Sequence, residues 1–280
     1  MKVGIIGLGL MGGSFALALK RIFKNSDESI DIIGLDHNVQ HSIEALEFKI
    51  VDQITDDIND LLELDLIVLA IPVNAILKVI PELKGVSEHT TIVDFGSTKE
   101  KIVNAIPNEI RKNFIAAHPM TGTEKSGPTA ADRKLYRGKV IVLCNTEENS
   151  QEHRYFVKDI FRELGMKIIK MNAKEHDRHA AFISHMPHAV SYALANSVLK
   201  QEQKRAILAL AGGGFKDMSR IAKSTPNMWI DIFTQNKENL LDATECFQKE
   251  LEQFQEYVKN DEWEKLQEWI ERANRLHEIL

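Results

Sequence analysis

The sequence predicts an α/β domain of the Rossmann type over residues 1–170, followed by an all-α domain over residues 171–280. Short runs rich in Ile and Val recur through the first part, and such runs are typical of strands buried on both faces. Helical patterns lie between several of these runs, which favours a mostly parallel sheet with helices on both sides. No strand pattern follows Met171, so we expect the rest of the chain to be helical.

The predicted strands are short apolar runs bounded by polar or turn-forming residues. They cover residues 3–6, 30–35, 66–71, 91–95, 114–117, 140–143 and 167–171. Clear helical patterns occupy residues 14–23 and 99–106. The length of 280 residues also agrees with two domains, because roughly 150 residues per domain is usual.

Two apolar stripes mark the last part of the chain. One consists of Leu240, Thr244, Phe247, Leu251, Phe254 and Val258, and the other of Trp263, Leu266, Ile270, Ala273, His277 and Leu280. Steps of three and four residues place each set along one side of a helix. The break at Asn260 and Asp261 predicts an antiparallel helix pair, with Asp261 and Glu264 as a capping box. The stripes indicate either the core of a monomer or a dimer interface.

Composition limits the classes of partner. Hydrophobic residues make up 44% and charged residues 27%, as in ordinary globular proteins, and the net charge of -6 disfavours nucleic acid and anionic membranes. Cys144 and Cys246 form neither a disulfide framework nor a zinc motif, which favours a reduced, cytoplasmic setting. The glycine-rich N-terminus lacks the layout of a signal peptide, and no apolar run approaches the roughly 20 residues of a membrane span.

A glycine motif follows the first predicted strand. The stretch Gly7-Leu8-Gly9-Leu10-Met11-Gly12 has the spacing G-x-G-x-x-G and opens a predicted helix. The first glycine permits a tight turn, the second lets a pyrophosphate approach the backbone, and the third allows close packing of helix on strand. The start of the helix offers N–H groups to phosphates. We therefore predict that Gly7, Gly9, Leu10, Met11 and Gly12 bind a dinucleotide.

Asp36 ends the second predicted strand, 24 residues after Gly12. A carboxylate at this distance can accept hydrogen bonds from the ribose hydroxyls of NAD and repels the 2′-phosphate of NADP. His37 and Asn38 follow, so no arginine stands beside it to receive that phosphate. The predicted cofactor is NAD.

His118 lies where a predicted strand ends and a long loop rich in Gly, Pro and Thr begins. Open α/β sheets bind ligands at the carboxyl ends of their strands, and loops of this length are usually functional. A single histidine is more often structural, but this position favours a functional role.

Four further histidines lie between residues 176 and 188. His176 and His179 are three residues apart, as are His185 and His188, so each pair could share a helix face and bind a metal ion. No cysteine lies nearby and Pro187 disturbs the second helix, so we expect no metal site.

Three glycines at residues 212–214 predict a bend in the backbone. Arg220 follows them, in or at the start of the next helix and beside Lys216. Taken alone, Arg220 is an ordinary surface cation.

Together these segments resemble the prephenate and arogenate dehydrogenase family over nearly the whole chain. The matching stretches are residues 7–14, 94–99 (D-F-G-S-T-K), 118–127 (H-P-M-T-G-T-E-K-S-G), 184–189 (S-H-M-P-H-A), 212–220 and 225–229 (T-P-N-M-W). The stretch that begins at His118 is highly specific, and the motifs occur in the family's order.

The resemblance implies NAD-dependent oxidative decarboxylation of prephenate, or of its amino analogue arogenate, on the route to tyrosine. His118 would be the catalytic residue that hydrogen-bonds the ring hydroxyl at C4, and Ser97 would assist at the same oxygen. His188 and Arg220 would hold the side-chain carboxylate, with Ser184 nearby. A histidine has a pKa suited to proton transfer near neutral pH, and a guanidinium can grip a carboxylate with two parallel hydrogen bonds.

The resemblance also implies a dimer. Trp229 would match a residue that reaches toward the partner subunit's site, so the all-α domain would be a dimerisation domain of a homodimer. Thr123 would contact substrate, and Glu124 and Asp177 would join a polar network around the mouth of the site. The 280 residues contain no counterpart of the regulatory or mutase modules found in this family, so we expect no control by a dedicated effector domain.

Two other classes compete with this interpretation. A β-hydroxyacid dehydrogenase would use a catalytic lysine in the interdomain helix, but residues 179–199 contain no lysine. A non-catalytic nucleotide-sensing protein would not need His118, His188 and Arg220 together. The choice between prephenate and arogenate stays open, because no residue decides it.

Overall fold

The computed structural model describes residues 1–24, 29–123 and 125–279. Residue contacts group the chain into two compact units, Met1–Asn236 and Lys237–Leu280. This grouping differs from the division at residues 170 and 171 that the sequence pattern predicts, and that division stays a prediction.

The larger unit is built on one sheet of eight strands: β1 (Lys2–Ile6), β2 (Asp31–Leu35), β3 (Gln53–Ile54), β4 (Leu66–Leu69), β5 (Thr91–Asp94), β6 (Phe114–Pro119), β7 (Val140–Cys144) and β8 (Lys167–Met171). Their order is β3-β2-β1-β4-β5-β6-β7-β8. Strands β1 to β6 pair in parallel, whereas β7 pairs antiparallel with β6 and β8 runs parallel to β7. All seven predicted strands are confirmed. The sequence pattern missed β3, because a strand of two residues has no periodicity.

Twelve α-helices lie in the described parts of the chain: α1 (Leu10–Phe23), α2 (Val39–Glu47), α3 (Val73–Val79), α4 (Glu100–Ala105), α5 (Gln151–Glu163), α6 (Ala173–Ala180), α7 (Met186–Leu199), α8 (Lys204–Ala209), α9 (Gly213–Ser219), α10 (Pro226–Gln235), α11 (Lys237–Lys259) and α12 (Trp263–Asn274). The described residues after β8 contain no strand, so the predicted order of an α/β region followed by helices is confirmed. Within the same described ranges, no helix is long and apolar enough to cross a membrane.

The sheet is covered on both faces, because its central strands bury every side chain. One apolar cluster contains Phe15 of α1 and Phe161 of α5, whose rings meet edge to face with centroids 6.3 Å apart. The other contains Ile76 of α3, Ile102 of α4 and Trp229 of α10. Because β1 to β6 run parallel, their carboxyl ends lie along the same edge of this sheet.

The smaller unit is the predicted helix pair. Trp269 of α12 donates its indole N–H to Glu250 of α11 over 2.7 Å. The predicted capping box is wrong: Glu262 is the N-cap of α12 and makes no side-chain cap hydrogen bond. Asp261 has a φ of 54°, so it occupies the left-handed turn that reverses the chain and not the capping position.

Candidate active site

The glycine motif forms a tight turn between β1 and α1. Gly7 has a φ of 97°, and a Cβ there would lie 2.4 Å from the carbonyl oxygen of Ala70. A Cβ on Gly12 would lie 1.9 Å from the carbonyl oxygen of Gly7. A Cβ on Gly9 would meet nothing within 4 Å, so the backbone there faces open space. Two of the glycines are thus required by packing, and the other leaves room for a ligand.

Leu10 and Met11 form the first turn of α1, and the first hydrogen bond of this helix runs from the Gly13 N–H to the Gly9 carbonyl over 2.9 Å. The N–H groups of Leu10, Met11 and Gly12 precede that bond, so they have no partner within the helix. They lie where β1 and β4 are neighbours but their connections lead to opposite sides, the place where open α/β sheets bind nucleotides.

Asp36 ties this turn to the end of β2. Its carboxylate accepts from the Leu8 N–H at Oδ2 and from the Asn38 N–H at Oδ1, both over 2.8 Å. The ring Nδ1 of His41 lies 3.3 Å from Oδ2. The side chain of Asp36 is only 4% exposed, but each carboxylate oxygen can accept more than one hydrogen bond. Asp36 can therefore hold the loop and still receive ligand hydroxyls.

His118 lies within β6, which continues to Pro119 and so is longer than predicted. Its side chain is buried, and its Nδ1 lies 2.8 Å from Nε2 of His176 in α6. Nε2 of His118 has no hydrogen-bond partner among the described residues. In the described ranges, four residues hold a fully enclosed polar atom without a partner: Asn149, His185, Tyr192 and Trp229. Nε2 of His118 is not one of these atoms, so it keeps some contact with solvent.

Asp177 anchors this pair of histidines. Its Oδ1 lies 2.8 Å from Nδ1 of His176, and its two oxygens accept from the backbone N–H groups of Lys99 and Glu100 over 2.7 and 2.9 Å. The residue is 2% exposed, so the expectation that Asp177 lies at the mouth of the site is wrong. Its carboxylate is instead used inside the protein, at the start of α4.

Ser97 lies in the loop between β5 and α4, and its hydroxyl makes no hydrogen bond with a described residue. The loop is held on either side of Ser97. The Thr98 hydroxyl donates to Gln235 over 2.6 Å, and the ammonium of Lys99 donates to the carboxylate of Asp94. Lys99 and Asp94 are both fully buried, and Asp94 also accepts from the N–H of Ala117, directly before His118. This ion pair joins the Ser97 loop to the strand that carries His118.

The surroundings of His118 keep its imidazole neutral. Burial lowers the pKa of His118 well below 6.5, and electrostatic repulsion from His176, Lys99 and His185 lowers it further. Since the pKa of a histidine is near 6.5 in water, the ring is an unprotonated base at neutral pH.

The segment between α6 and α7 carries the second group of predicted residues. Residues Ala181–His185 form a π-helix, and Pro187 in the next turn has no N–H to continue a regular helix. The wide turn places the Ser184 carbonyl 2.9 Å from Nδ1 of His188, which donates to it. The His188 ring stacks on Trp229, with centroids 3.6 Å apart. Such turns occur frequently at functional sites.

Trp229 lies inside its own chain and is only 6% exposed. Its ring is held between His188, His185 and Phe233, and its reach toward a partner's site stays a prediction. Its indole nitrogen and Nε2 of His185 are enclosed without a hydrogen-bond partner among the described residues. Nδ1 of His185 lies 3.0 Å from the amide nitrogen of Asn236, and burial lowers the pKa of His185 to about 4. A neutral His185 therefore carries its proton on Nε2, and two N–H donors lie unused beside His188.

The remaining predicted residues are more exposed. Arg220 begins a 3-10 helix after α9 and is exposed. Burial lowers the pKa of His188, and the positive charge of Arg220 lowers it further. Thr123 is also exposed, and its hydroxyl accepts from the Lys125 N–H over 3.3 Å. Glu124 lies outside the described residues.

The histidines do not form a metal-binding group of three or more ligands in the ranges that the structure describes. His176 faces His118, and His185 faces Trp229, as their ring contacts show. The helical spacing noted in the sequence therefore serves contacts to other elements.

Four residues of this region were given no role from the sequence: His176, His185, Asp94 and Lys99. The adjacency of His176 and Asp177 is the one signal in the sequence for these roles. Its meaning depends on the contact of His176 with His118, which lies 58 residues earlier in the chain. Nothing in the sequence indicates that Lys99 is fully buried, because lysines are almost always at the surface.

Comparison with known proteins identifies the family. Residues 15–170 match the model of the prephenate dehydrogenase nucleotide-binding domain, and residues 172–272 match that of the prephenate dehydrogenase dimerization domain. A prephenate dehydrogenase of Bacillus subtilis is 31% identical over 275 residues, which are 96% of this chain and 73% of that protein.

Solved structures agree with these matches. The prephenate dehydrogenase of Aquifex aeolicus, in complex with hydroxyphenyl propionate and NAD+, has a TM-score of 0.91 and 35% identity, covering 100% of this chain and 98% of that one. An arogenate dehydrogenase of Synechocystis has a TM-score of 0.82 and 28% identity, covering 99% of both chains. With two family models matched along most of its length, this chain belongs to the prephenate dehydrogenase family.

Proposed function

We propose that the protein catalyses the NAD-dependent oxidative decarboxylation of prephenate to 4-hydroxyphenylpyruvate in tyrosine biosynthesis, with arogenate as the alternative substrate. The observation that carries the proposal is the state of His118. It is a buried, neutral imidazole with one nitrogen left open, and it lies at the sheet edge where the glycine turn begins. A base of this kind can accept a hydroxyl proton as a hydride leaves the same carbon.

The glycine turn fits a dinucleotide. The open space at Gly9 and the N–H groups of Leu10, Met11 and Gly12 suit a pyrophosphate, Gly7 makes the turn, and Asp36 suits the ribose. When bound, NAD supplies the acceptor for the hydride.

In this proposal residues 1–170 bind the dinucleotide, and residues 171–280 complete the substrate site and form the dimer. The cytoplasmic setting stays a prediction from the cysteine content.

His118 and Ser97 are the proposed catalytic residues. His118 takes the proton of the C4 hydroxyl at Nε2 as the hydride departs, and the Ser97 hydroxyl hydrogen-bonds the same oxygen. When the C1 carboxylate leaves as carbon dioxide, its bonding electrons make the ring aromatic, and His118 returns the proton to the ring oxygen. The side chains thereby position the reacting carbon and move one proton.

The far side of the substrate is proposed to lie against His188, Ser184, Trp229 and Arg220. Arg220 can grip a carboxylate with two hydrogen bonds. Thr123 and Glu124 are proposed to contact substrate from the loop after β6. Asp177 is proposed to act from the interior, through its contact with His176.

The activity is tested by mixing the protein with NAD and prephenate, and separately with arogenate. We expect NADH absorbance to grow with at least one substrate. Steady-state kinetics with both substrates and both cofactors should favour NAD over NADP, because Asp36 repels a 2′-phosphate. If neither substrate gives NADH, a nucleotide-sensing protein is supported instead.

His118→Asn is expected to lower kcat by about 10²–10⁴-fold, because the base is removed.

The matched control for His118→Asn is His153→Asn. His153 is also buried, but it bonds the Thr91 hydroxyl over 2.7 Å at the start of β5, the end opposite the site. This variant should keep the wild-type rate. NAD affinity and circular dichroism of both variants verify that the fold survives. A near-normal kcat for His118→Asn would remove His118 from the mechanism.

The dependence of kcat/KM on pH tests the state of His118. Its pKa is lowered below 6.5 by burial and by electrostatic repulsion from His176, Lys99 and His185, so the unprotonated base persists to lower pH. We expect kcat/KM to stay constant as pH falls through 6.5 and to decline only well below it. A decline centred at or above 6.5 would contradict this assignment.

Arg220→Ala is expected to raise KM by about ten- to a hundredfold with a smaller effect on kcat, because a charged contact to the substrate carboxylate is lost. Arg220→Lys should recover only part of the loss, since an ammonium cannot form the paired hydrogen bonds. Lys223→Ala, in the same 3-10 helix and also exposed, is the control. An unchanged KM for Arg220→Ala would exclude this grip.

The protein is also proposed to be a homodimer through its helical part. The matched dimerization domain supports this, as do the apolar residues left exposed on α11, such as Phe247 at 39% and Leu251 at 47%. Sedimentation velocity should give twice the chain mass of 31.8 kDa. Leu251→Glu should shift the protein toward monomer, whereas Glu256→Gln on the opposite side of α11 should not. A monomer for the wild type would refute the dimer.

A further inference from the structure

Three buried side chains form a continuous row behind the proposed active site. Asp177 Oδ1 lies 2.8 Å from His176 Nδ1, and His176 Nε2 lies 2.8 Å from His118 Nδ1. Asp177 and His176 are each 2% exposed and His118 is 8% exposed, so water has little access to the row. The row leads from the start of α4 to the ring that would act on substrate.

The chemistry of the end group sets the direction of the hydrogen bond between Asp177 and His176, and with a neutral His176 it also sets the direction of the bond to His118. A carboxylate can only accept, and Asp177 already accepts from the backbone N–H groups of Lys99 and Glu100. His176 must therefore donate from Nδ1. A neutral imidazole has one N–H, which leaves Nε2 of His176 as an acceptor. His118 must then donate from Nδ1, so the lone pair of its ring lies on Nε2.

We propose that His176, anchored by Asp177, is a positioning residue that holds His118 in the tautomer protonated at Nδ1 and basic at Nε2. The inference rests on the proposed role of His118 as the base and adds a residue to which that role assigned nothing. Without His176, the His118 ring could carry its proton on either nitrogen and could rotate. Only one of the resulting states presents a lone pair to the substrate.

The same row stabilises the charge that forms during the reaction. The O–H bond of the C4 hydroxyl breaks and an N–H bond forms at Nε2 of His118, which makes the ring an imidazolium. Its Nδ1–H remains bonded to His176, whose own N–H points at the negative Asp177. Burial, His176, Lys99 and His185 all oppose a positive charge on His118. In this proposal the carboxylate of Asp177, at the other end of the row, is the negative group that offsets it. The proton later returns to the ring oxygen, and the row resumes its first state.

The tautomer is measured directly by NMR on protein labelled with ¹⁵N at its ten histidines, without substrate. The His118 signals are assigned by their loss in His118→Asn. We expect Nδ1 of His118 to give a pyrrole-type signal and Nε2 a pyridine-type signal. The opposite pattern would overturn the proposal, because His176 would then be donating to His118. This measurement does not depend on which substrate the enzyme accepts.

Two variants of His176 separate positioning from packing. His176→Leu fills similar space without an acceptor and is expected to lower kcat by about 10²-fold, with KM and NAD affinity within about threefold. His176→Gln can present its amide oxygen to the His118 Nδ1–H, so it should recover about tenfold of that loss and keep the Nδ1–H tautomer. A purely structural role would not give this selective recovery.

The matched control is the pair His153→Leu and His153→Gln, since His153 is a buried histidine at the opposite end of the sheet. These variants should change stability but not kcat. A kcat of His176→Leu within about threefold of wild type, or a His176→Gln no better than His176→Leu, would overturn the proposal. If His176→Leu does not fold, the wild-type tautomer and His176→Gln still decide. Absence of wild-type turnover would refute the proposed function and leave the tautomer result valid by itself.

Discussion

The two oxygens of Asp177 hold the region around His118 together. They accept from two backbone N–H groups at the start of α4 and from the ring of His176, all within an interior that excludes water. A buried carboxylate is tolerated only when its lone pairs are used, and a buried N–H without an acceptor costs about 1–3 kcal/mol. Each partner of Asp177 therefore has one stable arrangement. The loop with Ser97, helix α6 and the His118 ring are fixed with respect to one another as a result.

A second buried contact reinforces this arrangement by joining the Ser97 loop to strand β6. The Lys99–Asp94 ion pair is fully enclosed, and Asp94 also accepts from the backbone at Gly96 and at Ala117. A buried pair of this kind adds little net stability, but loss of one partner is costly, so it specifies one geometry. Because the chain alternates strand and helix, the glycine turn after β1, Asp36 after β2, Ser97 after β5 and His118 in β6 all reach the same sheet edge. The fold brings the groups together, and the buried polar contacts set their orientation.

The helical segment after β8 contributes the opposite side of the proposed site, by a local departure from regular helix. The π-helix at Ala181–His185 changes the direction in which the following side chains leave the helix, so that His185 and His188 both contact Trp229. Pro187 and the stacked ring of Trp229 limit the freedom of His188. The indole N–H of Trp229 and the Nε2–H of His185 are enclosed without an acceptor among the described residues, which is uncommon for buried donors.

The sequence by itself determined the fold class and the residues of most of the proposed site, because both follow from local signals. Buried strands are short apolar runs, the turn at Gly7 and Gly12 tolerates no Cβ, and Asp36 follows β2 by simple spacing. The tertiary structure alone decided the roles of Asp177, His176 and Lys99, since these depend on contacts between residues 58 to 78 positions apart or on complete burial. Trp229 and the cap of α12 show the same limit: a motif gives a residue's position along the chain, whereas the neighbours that use its side chain are chosen by packing.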